Sequence, residues 1–244
     1  MDIEAIDAPD LLRWAWEETR GSLAIVTSFQ TEGMVLVDMA SRVCPDVRVV
    51  TVDTGRLPEE THEMIEKVRS RYGIRVEVAT PDPVEVGSMV EQYGTNLFYR
   101  ESALRMLCCE VRKVRPLERK LEKFRAWATG IRREQNEARQ STKTVSVVDG
   151  RLKLCPLANW SAEEVAEYCL QHDVLRHPLY DRGFTSIGCE PCTRAPRPGE
   201  GERAGRWWWE NDTQKECGIH FTANGTLQRK VDVLIADILK APAA

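Results

Sequence analysis

The sequence has no apolar run that approaches the roughly 20 residues of a membrane-spanning helix. Its first residues, Met1-Asp2-Ile3-Glu4, are acidic, whereas a signal peptide begins with basic residues. The chain also lacks an excess of basic charge, since 34 Lys and Arg stand against 38 Asp and Glu. We therefore expect a cytoplasmic protein with no membrane partner and no nucleic-acid partner.

The charge is unevenly distributed along the chain. Residues 105–139 contain 11 Lys and Arg against 5 Asp and Glu. Such a local excess of cations in an acidic chain favours a small anionic ligand, because a nucleic-acid surface would usually make the whole domain basic. Part of this stretch also fits the solvated face of a helix.

Short apolar runs alternate with segments of helical periodicity. At 244 residues with 42% hydrophobic content, the chain can form one domain with a full core. The alternation predicts an α/β fold with a mostly parallel sheet flanked by helices, whose ligands bind where the strands end. The predicted strands are 23–27, 47–52, 74–79 and 125–129, the predicted helices are 34–43, 58–72 and 161–172, and Asp149-Gly150 predicts a hairpin.

Regular periodicity fades after Gly183. We expect an α/β core over residues 1–182 and an irregular C-terminal segment of the same domain over residues 183–244, with a helix over 231–239 as one conformation of its tail. The run of three tryptophans at 207–209 is interpreted as a packing anchor for this tail. The oligomeric state is left open, with a homo-oligomer among the alternatives.

The chain has eight cysteines but no recognisable export signal. A disulfide framework is therefore less expected than metal binding or catalysis. Cys108 and Cys109 are adjacent, and about 80 residues later Cys189 and Cys192 form a second pair. Adjacent cysteines converge poorly on one zinc ion but can each bind a different iron of a larger cluster. The pattern favours an iron–sulfur cluster over zinc, whereas three single cysteines in apolar surroundings are interpreted as core thiols: Cys44, Cys155 and Cys169.

Cys217 stands apart from the two pairs. Lys215 and His220 lie near it in sequence and favour a thiolate, and Gly218 follows it directly. The local pattern alone fits a reactive thiol and an incidental surface cysteine about equally well.

Two loops after predicted strands are candidates for binding an anion. Residues 28–33 follow the first strand and open a helix, and Asp53-Thr54-Gly55 follows the second strand. The first loop lacks the repeated glycines of a Walker or dinucleotide motif. Guanidinium and ammonium groups bind phosphate and sulfate oxygens, and six such residues lie in suitable positions: Arg112, Lys113, Arg132, Arg133, Arg203 and Arg206.

Together these residues resemble the assimilatory adenylyl-sulfate (APS) reductases of the phosphosulfate reductase family. Three motifs carry the resemblance, within a match over about 22–220: residues 108–113 (CCEVRK), residues 186–193 (SIGCEPCT) and residues 216–220 (ECGIH). The chain differs from the family in Val52, where leucine is common, and in the 24 residues that follow His220.

The resemblance implies an adenine-nucleotide α-hydrolase-like fold and a [4Fe-4S] cluster on Cys108, Cys109, Cys189 and Cys192. It implies that Cys217 attacks adenylyl sulfate to form S-sulfocysteine, and that thioredoxin then releases sulfite through a transient disulfide at Cys217. It assigns substrate binding to Ser28, Phe29, Gln30, Val52, Asp53, Thr54, Gly55, Arg112, Lys113, Gly130, Arg132, Arg133, Arg203 and Arg206.

Three alternatives remain open at this point. The same chemistry could act on the 3′-phosphorylated nucleotide (PAPS), although PAPS-specific members of the family generally lack the paired cysteines. A nucleotide-binding or RNA-thiolating protein of the ATP pyrophosphatase type would share the sheet but usually carries a glycine-rich first loop. A non-catalytic zinc-stabilised binding module would be colourless and free of acid-labile sulfide.

Overall fold

A computed structural model describes residue 4, residues 6–210 and residues 225–240 of the chain. Helices and strands alternate through the first two thirds of it, as the periodicity predicts. The strands are β1 (Leu23–Val26), β2 (Arg48–Val52), β3 (Arg75–Ala79), β4 (Ala126–Thr129), β5 (Val145–Val148) and β6 (Arg151–Leu154). The helices are α1 (Ala8–Glu18), α2 (Thr31–Val43), α3 (Glu59–Tyr72), α4 (Pro83–Tyr93), α5 (Ser102–Cys109), α6 (Arg115–Leu121), α7 (Ala162–Gln171) and α8 (Gly225–Lys240).

The strands form one sheet in the order β3-β2-β1-β4-β6-β5. All neighbouring pairs are parallel except β5 and β6, which form the antiparallel hairpin that Asp149-Gly150 predicts. The chain proceeds from β1 outward to β3 and then returns to place β4 on the other side of β1. In open parallel sheets, a reversal of this kind leaves a crevice at the carboxyl ends of the strands. Here that crevice lies between β1 and β4.

Two helices that the sequence analysis did not predict begin at similar signals. The Asp7 side chain accepts a hydrogen bond from the backbone N–H of Asp10 at the start of α1, and Asp82 caps α4 in the same way. A proline follows each cap within the first turn, where it costs no hydrogen bond. The predicted capping box of α7 is present, with Ser161 and Glu164 bonding to each other's backbone N–H groups.

Apolar side chains cover both faces of the sheet. Leu23 and Ile25 of β1 belong to the main core with α1, α2 and α3, whereas Ala24 faces a smaller cluster formed by α6. This alternation within one strand is the period of two expected for a central parallel strand. The sheet is therefore buried on both sides, and its strand ends are the edge at which a ligand can reach the backbone.

The C-terminal segment is irregular over 183–210, where its helical elements are short 3-10 turns, and α8 then packs against α4 and α5. Trp207 is fully buried in the same apolar cluster as Ile238 of α8, as expected of an anchor for the tail. The division of the domain at residue 182 stays a prediction. Across the described ranges, no helix is long and apolar enough to cross a membrane.

Candidate active site

A cavity of about 550 Å³ lies in the crevice where β1 and β4 end. Its lining comes from the loop after β1, the loop after β4, the helical segment after α5 and the C-terminal segment. Eight of the predicted substrate-binding residues line it: Ser28, Gln30, Val52, Lys113, Gly130, Arg132, Arg203 and Arg206.

The loop after β1 turns sharply into α2. Phe29 has a positive φ of 60°, and its backbone N–H donates to Thr27 Oγ1 at 2.8 Å. The Phe29 side chain packs in the main core, so this residue shapes the loop rather than facing the cavity. Gln30 Oε1 accepts a hydrogen bond from Ile187 N at 2.8 Å and so joins the loop to the C-terminal segment.

Gly130 allows β4 to approach the start of α2 closely. A Cβ at this position would lie 2.8 Å from the Glu32 carbonyl carbon and 2.9 Å from the Gly33 nitrogen, both backbone atoms. Only a residue without a side chain fits there. The close contact brings the first turn of α2, with its positive dipole end, to the wall of the cavity.

The neighbouring residues Arg132 and Arg133 point in different directions. Arg132 lines the cavity, and its Nε donates to Glu32 Oε1 at 3.0 Å. Arg133 instead bonds to Glu4, Asn159 and the Thr142 carbonyl, on the outside of the cavity.

The loop after β2 contacts the second cysteine pair through Thr54, and only Leu57 of this loop lines the cavity. Thr54 Oγ1 lies 3.2 Å from Cys189 Sγ, and Arg112 Nη1 donates to the Thr54 carbonyl at 2.9 Å. Asp53 Oδ1 accepts the Gly55 N–H at 2.8 Å, which stabilises the turn. Four predicted substrate-binding residues therefore lie beside the cavity without lining it: Asp53, Thr54, Gly55 and Arg112.

The four paired cysteines come together at this edge of the sheet. Cys108 and Cys109 end α5, and Cys189 and Cys192 flank a single 3-10 turn. Burial, followed by the neighbouring thiolates of Cys109 and Cys189, raises the pKa of Cys108 to about 12. Burial and the other three sulfurs of the group also raise the pKa of Cys192. The four thiols are thus close enough to repel one another's charge.

A bound metal would relieve this repulsion, because its positive charge stabilises the coordinating thiolates and the thiol protons are released to solvent. The donor set, four sulfurs and no other ligand type, suits a cluster of irons. Within the ranges that the structure describes, no group of three or more His, Cys, Asp or Glu side chains is arranged for a single ion. Cys217 lies outside the described residues, so its predicted role stays a prediction.

One helical run connects the cysteines to the cavity. Residues 110–114 form a π-helical turn between α5 and α6. Within this turn Arg112 reaches the loop after β2, while Lys113 lines the cavity. A π-helical turn widens the helix locally and is frequent at functional sites.

The sequence analysis missed residues whose importance depends on tertiary contacts. Arg206 is buried, and a Cβ on Gly188 would overlap its guanidinium, so Gly188 makes room for it beside Cys189. Glu32 and Ile187 line the cavity through the contacts described above. Ile187 and Gly188 lie in the motif 186–193 and Glu32 lies in the loop 28–33, but only Gly188, a glycine before a cysteine, carries a local sign of close packing.

The sheet order and the cavity at the reversal of strand order define an α/β protein of nucleotide-binding architecture. The model of the phosphoadenosine phosphosulfate reductase domain matches residues 22–195, so the chain belongs to the phosphoadenosine phosphosulfate reductase family.

Its relatives include two proteins named adenosine 5′-phosphosulfate reductase. The protein from Allochromatium vinosum is 45% identical over 201 residues, which cover 82% of this chain and 78% of the relative. The one from Pseudomonas aeruginosa is 43% identical over 219 residues, which cover 86% of this chain and 81% of the relative.

Solved structures agree with this assignment. The phosphate complex of phosphoadenylyl-sulfate (PAPS) reductase from Candida auris has a TM-score of 0.66 and 26% identity, covering 79% of this chain and 93% of that one. FMN adenylyltransferase from Candida glabrata, with FAD and pyrophosphate, has a TM-score of 0.55 at 15% identity, covering 94% and 81%. The second similarity concerns the fold alone.

Proposed function

We propose that this protein reduces adenylyl sulfate to sulfite and AMP with thioredoxin as the electron donor. The observation that carries the proposal is the helical run over 102–121, which places two of the paired cysteines and the cavity residue Lys113 within one continuous segment. The names of the relatives at 45% and 43% identity support the same activity.

The cavity suits a nucleotide that carries two anionic groups. In the proposed complex, Lys113, Arg203 and Arg206 neutralise the phosphosulfate, and the first turn of α2 adds its N-terminal dipole. Glu32 holds Arg132 in place, so this guanidinium is already oriented before substrate binds. The cations lower the repulsion toward an incoming thiolate and stabilise the departing phosphate.

Cys217 is the proposed nucleophile. Its thiolate attacks the sulfur of adenylyl sulfate, the bond from that sulfur to the phosphate oxygen breaks, and AMP leaves with the electron pair. The enzyme then carries S-sulfocysteine. A thioredoxin thiolate attacks Cys217 Sγ and sulfite leaves with the electron pair, which forms a mixed disulfide. The second thioredoxin thiol opens this disulfide and restores Cys217.

In this proposal Cys108, Cys109, Cys189 and Cys192 hold a [4Fe-4S] cluster. When bound, the cluster supplies electrostatic polarisation beside the substrate site. Because all of the electrons come from thioredoxin, the four cysteines need take no part in electron transfer. Free thiols of this kind persist in a reducing compartment, so the proposal places the protein in the cytoplasm. Iron and acid-labile sulfide in anaerobically purified protein distinguish this assignment from a zinc-stabilised module.

Reduction of PAPS is the alternative activity. The similarity to the Candida auris enzyme supports it. That similarity is at 26% sequence identity, whereas the relative from Allochromatium vinosum, which is named for adenosine 5′-phosphosulfate, is 45% identical. Initial rates with the two nucleotides decide between them: a preference for the 3′-phosphorylated form would replace the proposed substrate.

Cys217→Ser tests the nucleophile. We expect the variant to bind AMP and retain iron normally while sulfite formation falls to background, because a serine hydroxyl is a far weaker nucleophile and leaving group than a thiol. Sulfite release, AMP affinity by calorimetry and iron content are measured side by side.

Cys169→Ser is the matched control for this substitution. Cys169 lies on α7 and packs against the main core, away from the four paired cysteines. We expect its variant to keep normal turnover. Normal turnover in Cys217→Ser would refute the nucleophile.

A further inference from the structure

A buried ion pair lies beside the paired cysteines. Arg105 of α5 and Glu210 at the end of the irregular segment are joined by an Nε–Oε1 contact of 2.6 Å, with side chains only 5% and 6% exposed. Burying two charges costs free energy that their attraction often fails to repay, so such a pair is weak evidence for a purely stabilising role.

Arg105 also contacts the cysteine group itself. It lies one helical turn before Cys109 and shares a side-chain hydrogen bond with it. Its guanidinium keeps its charge, because arginine stays protonated in proteins. The positive charge therefore lies next to the sulfur.

Trp207 connects this cation to the wall of the cavity. The guanidiniums of Arg105 and Arg206 contact the Trp207 ring at 4.5 and 4.6 Å from its centroid. Arg206 lines the cavity. Arg112 reaches the Thr54 carbonyl, and the Thr54 hydroxyl contacts Cys189. Among the residues that the structure describes, Arg105 is the one of these three cations that is buried together with a carboxylate partner.

We propose that Arg105 is a positioning residue that compensates the negative charge of the Cys109 thiolate and thereby holds the cysteine group in its metal-binding form. This role rests on the proposed function, in which the four cysteines bind a cluster. Glu210 keeps the guanidinium oriented, and the Trp207 ring packs against it.

The test compares iron retention in purified, anaerobic protein. Arg105→Gln should release iron to a chelator about 10–100-fold faster than the unchanged protein, as expected when a group that supports a ligand is removed. The decay of visible absorbance and the iron content both report the loss. Arg105→Lys keeps the positive charge but lacks the planar guanidinium. Its rate of iron release should lie between those of the unchanged protein and Arg105→Gln.

A second variant separates charge compensation from simple pairing. Arg105→Gln combined with Glu210→Gln contains no unpaired buried charge, so it folds even where the single variant does not. We expect it to lose iron as quickly as Arg105→Gln. Glu210→Gln alone should retain iron, because the glutamine amide oxygen can still accept the hydrogen bond from Arg105 Nε. Arg71→Gln, an exposed arginine on α3 paired with Asp173, is the control.

Two outcomes overturn the inference. Recovery of normal iron retention in the double variant would mean that Arg105 serves only to neutralise Glu210. Normal iron retention in Arg105→Gln would mean that Arg105 does not support the cysteine group at all. Absence of iron from the unchanged protein would be a different result, because it would overturn the proposed cluster and this inference with it.

Discussion

Gly130 is the residue at which the cavity depends most directly on the absence of a side chain. Its Cα faces the backbone of Glu32 and Gly33 rather than the flexible end of a side chain. A backbone neighbour at a helix start cannot move aside without shifting the helix, so a methyl group here changes both packing and the shape of the cavity.

Gly130→Ala is expected to lower the free energy of unfolding by about 1–3 kcal/mol, the usual cost of overpacking. It should also weaken AMP binding, because the first turn of α2 must move. Urea denaturation and calorimetric titration with AMP measure the two effects.

Gly87→Ala is the control for Gly130→Ala, since nothing lies within 4 Å of a Cβ at this position on α4. We expect it to raise stability by about 0.5–1 kcal/mol through helix propensity. If both substitutions had the same effect, the close contact at Gly130 would be refuted.

Residue identity alone could not separate Arg132 from Arg133. Both are arginines after the same strand, and both were predicted to bind substrate. Arg132 has an extended backbone, with φ of −117° and ψ of 146°, so successive side chains point to opposite sides. Predicting which one faces the cavity requires the position of Glu32 on α2, a contact across 100 residues.

Among the helices, α8 has an unusual position. It packs against α5, the helix that ends in Cys108 and Cys109, and its Ile238 is 3% exposed in the cluster that includes Cys108 and Trp207. The tail helix therefore covers the element that presents the first cysteine pair.

Ile238→Ala is expected to lower the free energy of unfolding by about 2–5 kcal/mol, because it removes buried methylenes and leaves a cavity. Val233→Ala on the same helix should change it by less than about 0.5 kcal/mol, because Val233 is 60% exposed. Thermal and urea unfolding of the two variants give the comparison. Equal effects would mean that α8 is not packed as described.

At the scale of elements, the sequence predicts most of the sheet, misses α1 and α4, and gives no bounds for α5 and α6. Apolar runs mark the first four strands to within one residue or two at their ends, because a central parallel strand is buried on both faces. Helices α1 and α4 were missed although Asp7 and Asp82 begin them. Short helices depend on the core they cover, and that core is assembled from distant segments.

His177 links the stability of the whole molecule to pH through contacts between distant parts of the chain. It is fully buried, its Nε2 lies 3.1 Å from Thr61 Oγ1 on α3, and its Nδ1 accepts the Leu179 N–H. Burial lowers the pKa of His177, and Lys67 lowers it further, against opposing effects of Glu60 and Glu63. A proton on Nδ1 would also remove the bond from Leu179.

The pH dependence of stability follows from this lowered pKa. The unfolded chain takes up a proton near pH ~6.5 and the folded chain does so only at lower pH, so stability falls as the pH drops below ~6.5. The slope attributable to His177 is at most about 1.4 kcal/mol per pH unit. We expect His177→Gln to lose this part of the slope in urea denaturation at several pH values. An unchanged slope in the variant would contradict the burial of a neutral imidazole.

The arrangement of the whole molecule was only partly predictable. Parallel strands imply that the loops after them share one edge, and the cavity lies at that edge. Their order does not follow from periodicity, because nothing in the sequence of β4 states that it pairs with β1 rather than β3. The two cysteine pairs are about 80 residues apart in the sequence. That they lie together was predictable only because four thiols in two pairs are typical of a metal site.

The π-helical turn over 110–114 tolerates no change in its number of residues. One added or deleted residue between Cys109 and Lys113 would rotate everything after it about the helix axis, by about 100° in α-helical geometry. The Lys113 ammonium group would then turn away from the cavity while the cysteines stayed in place. The loops elsewhere can lengthen at little cost. Insertions and deletions should therefore accumulate in the surface loops and be excluded from this single turn.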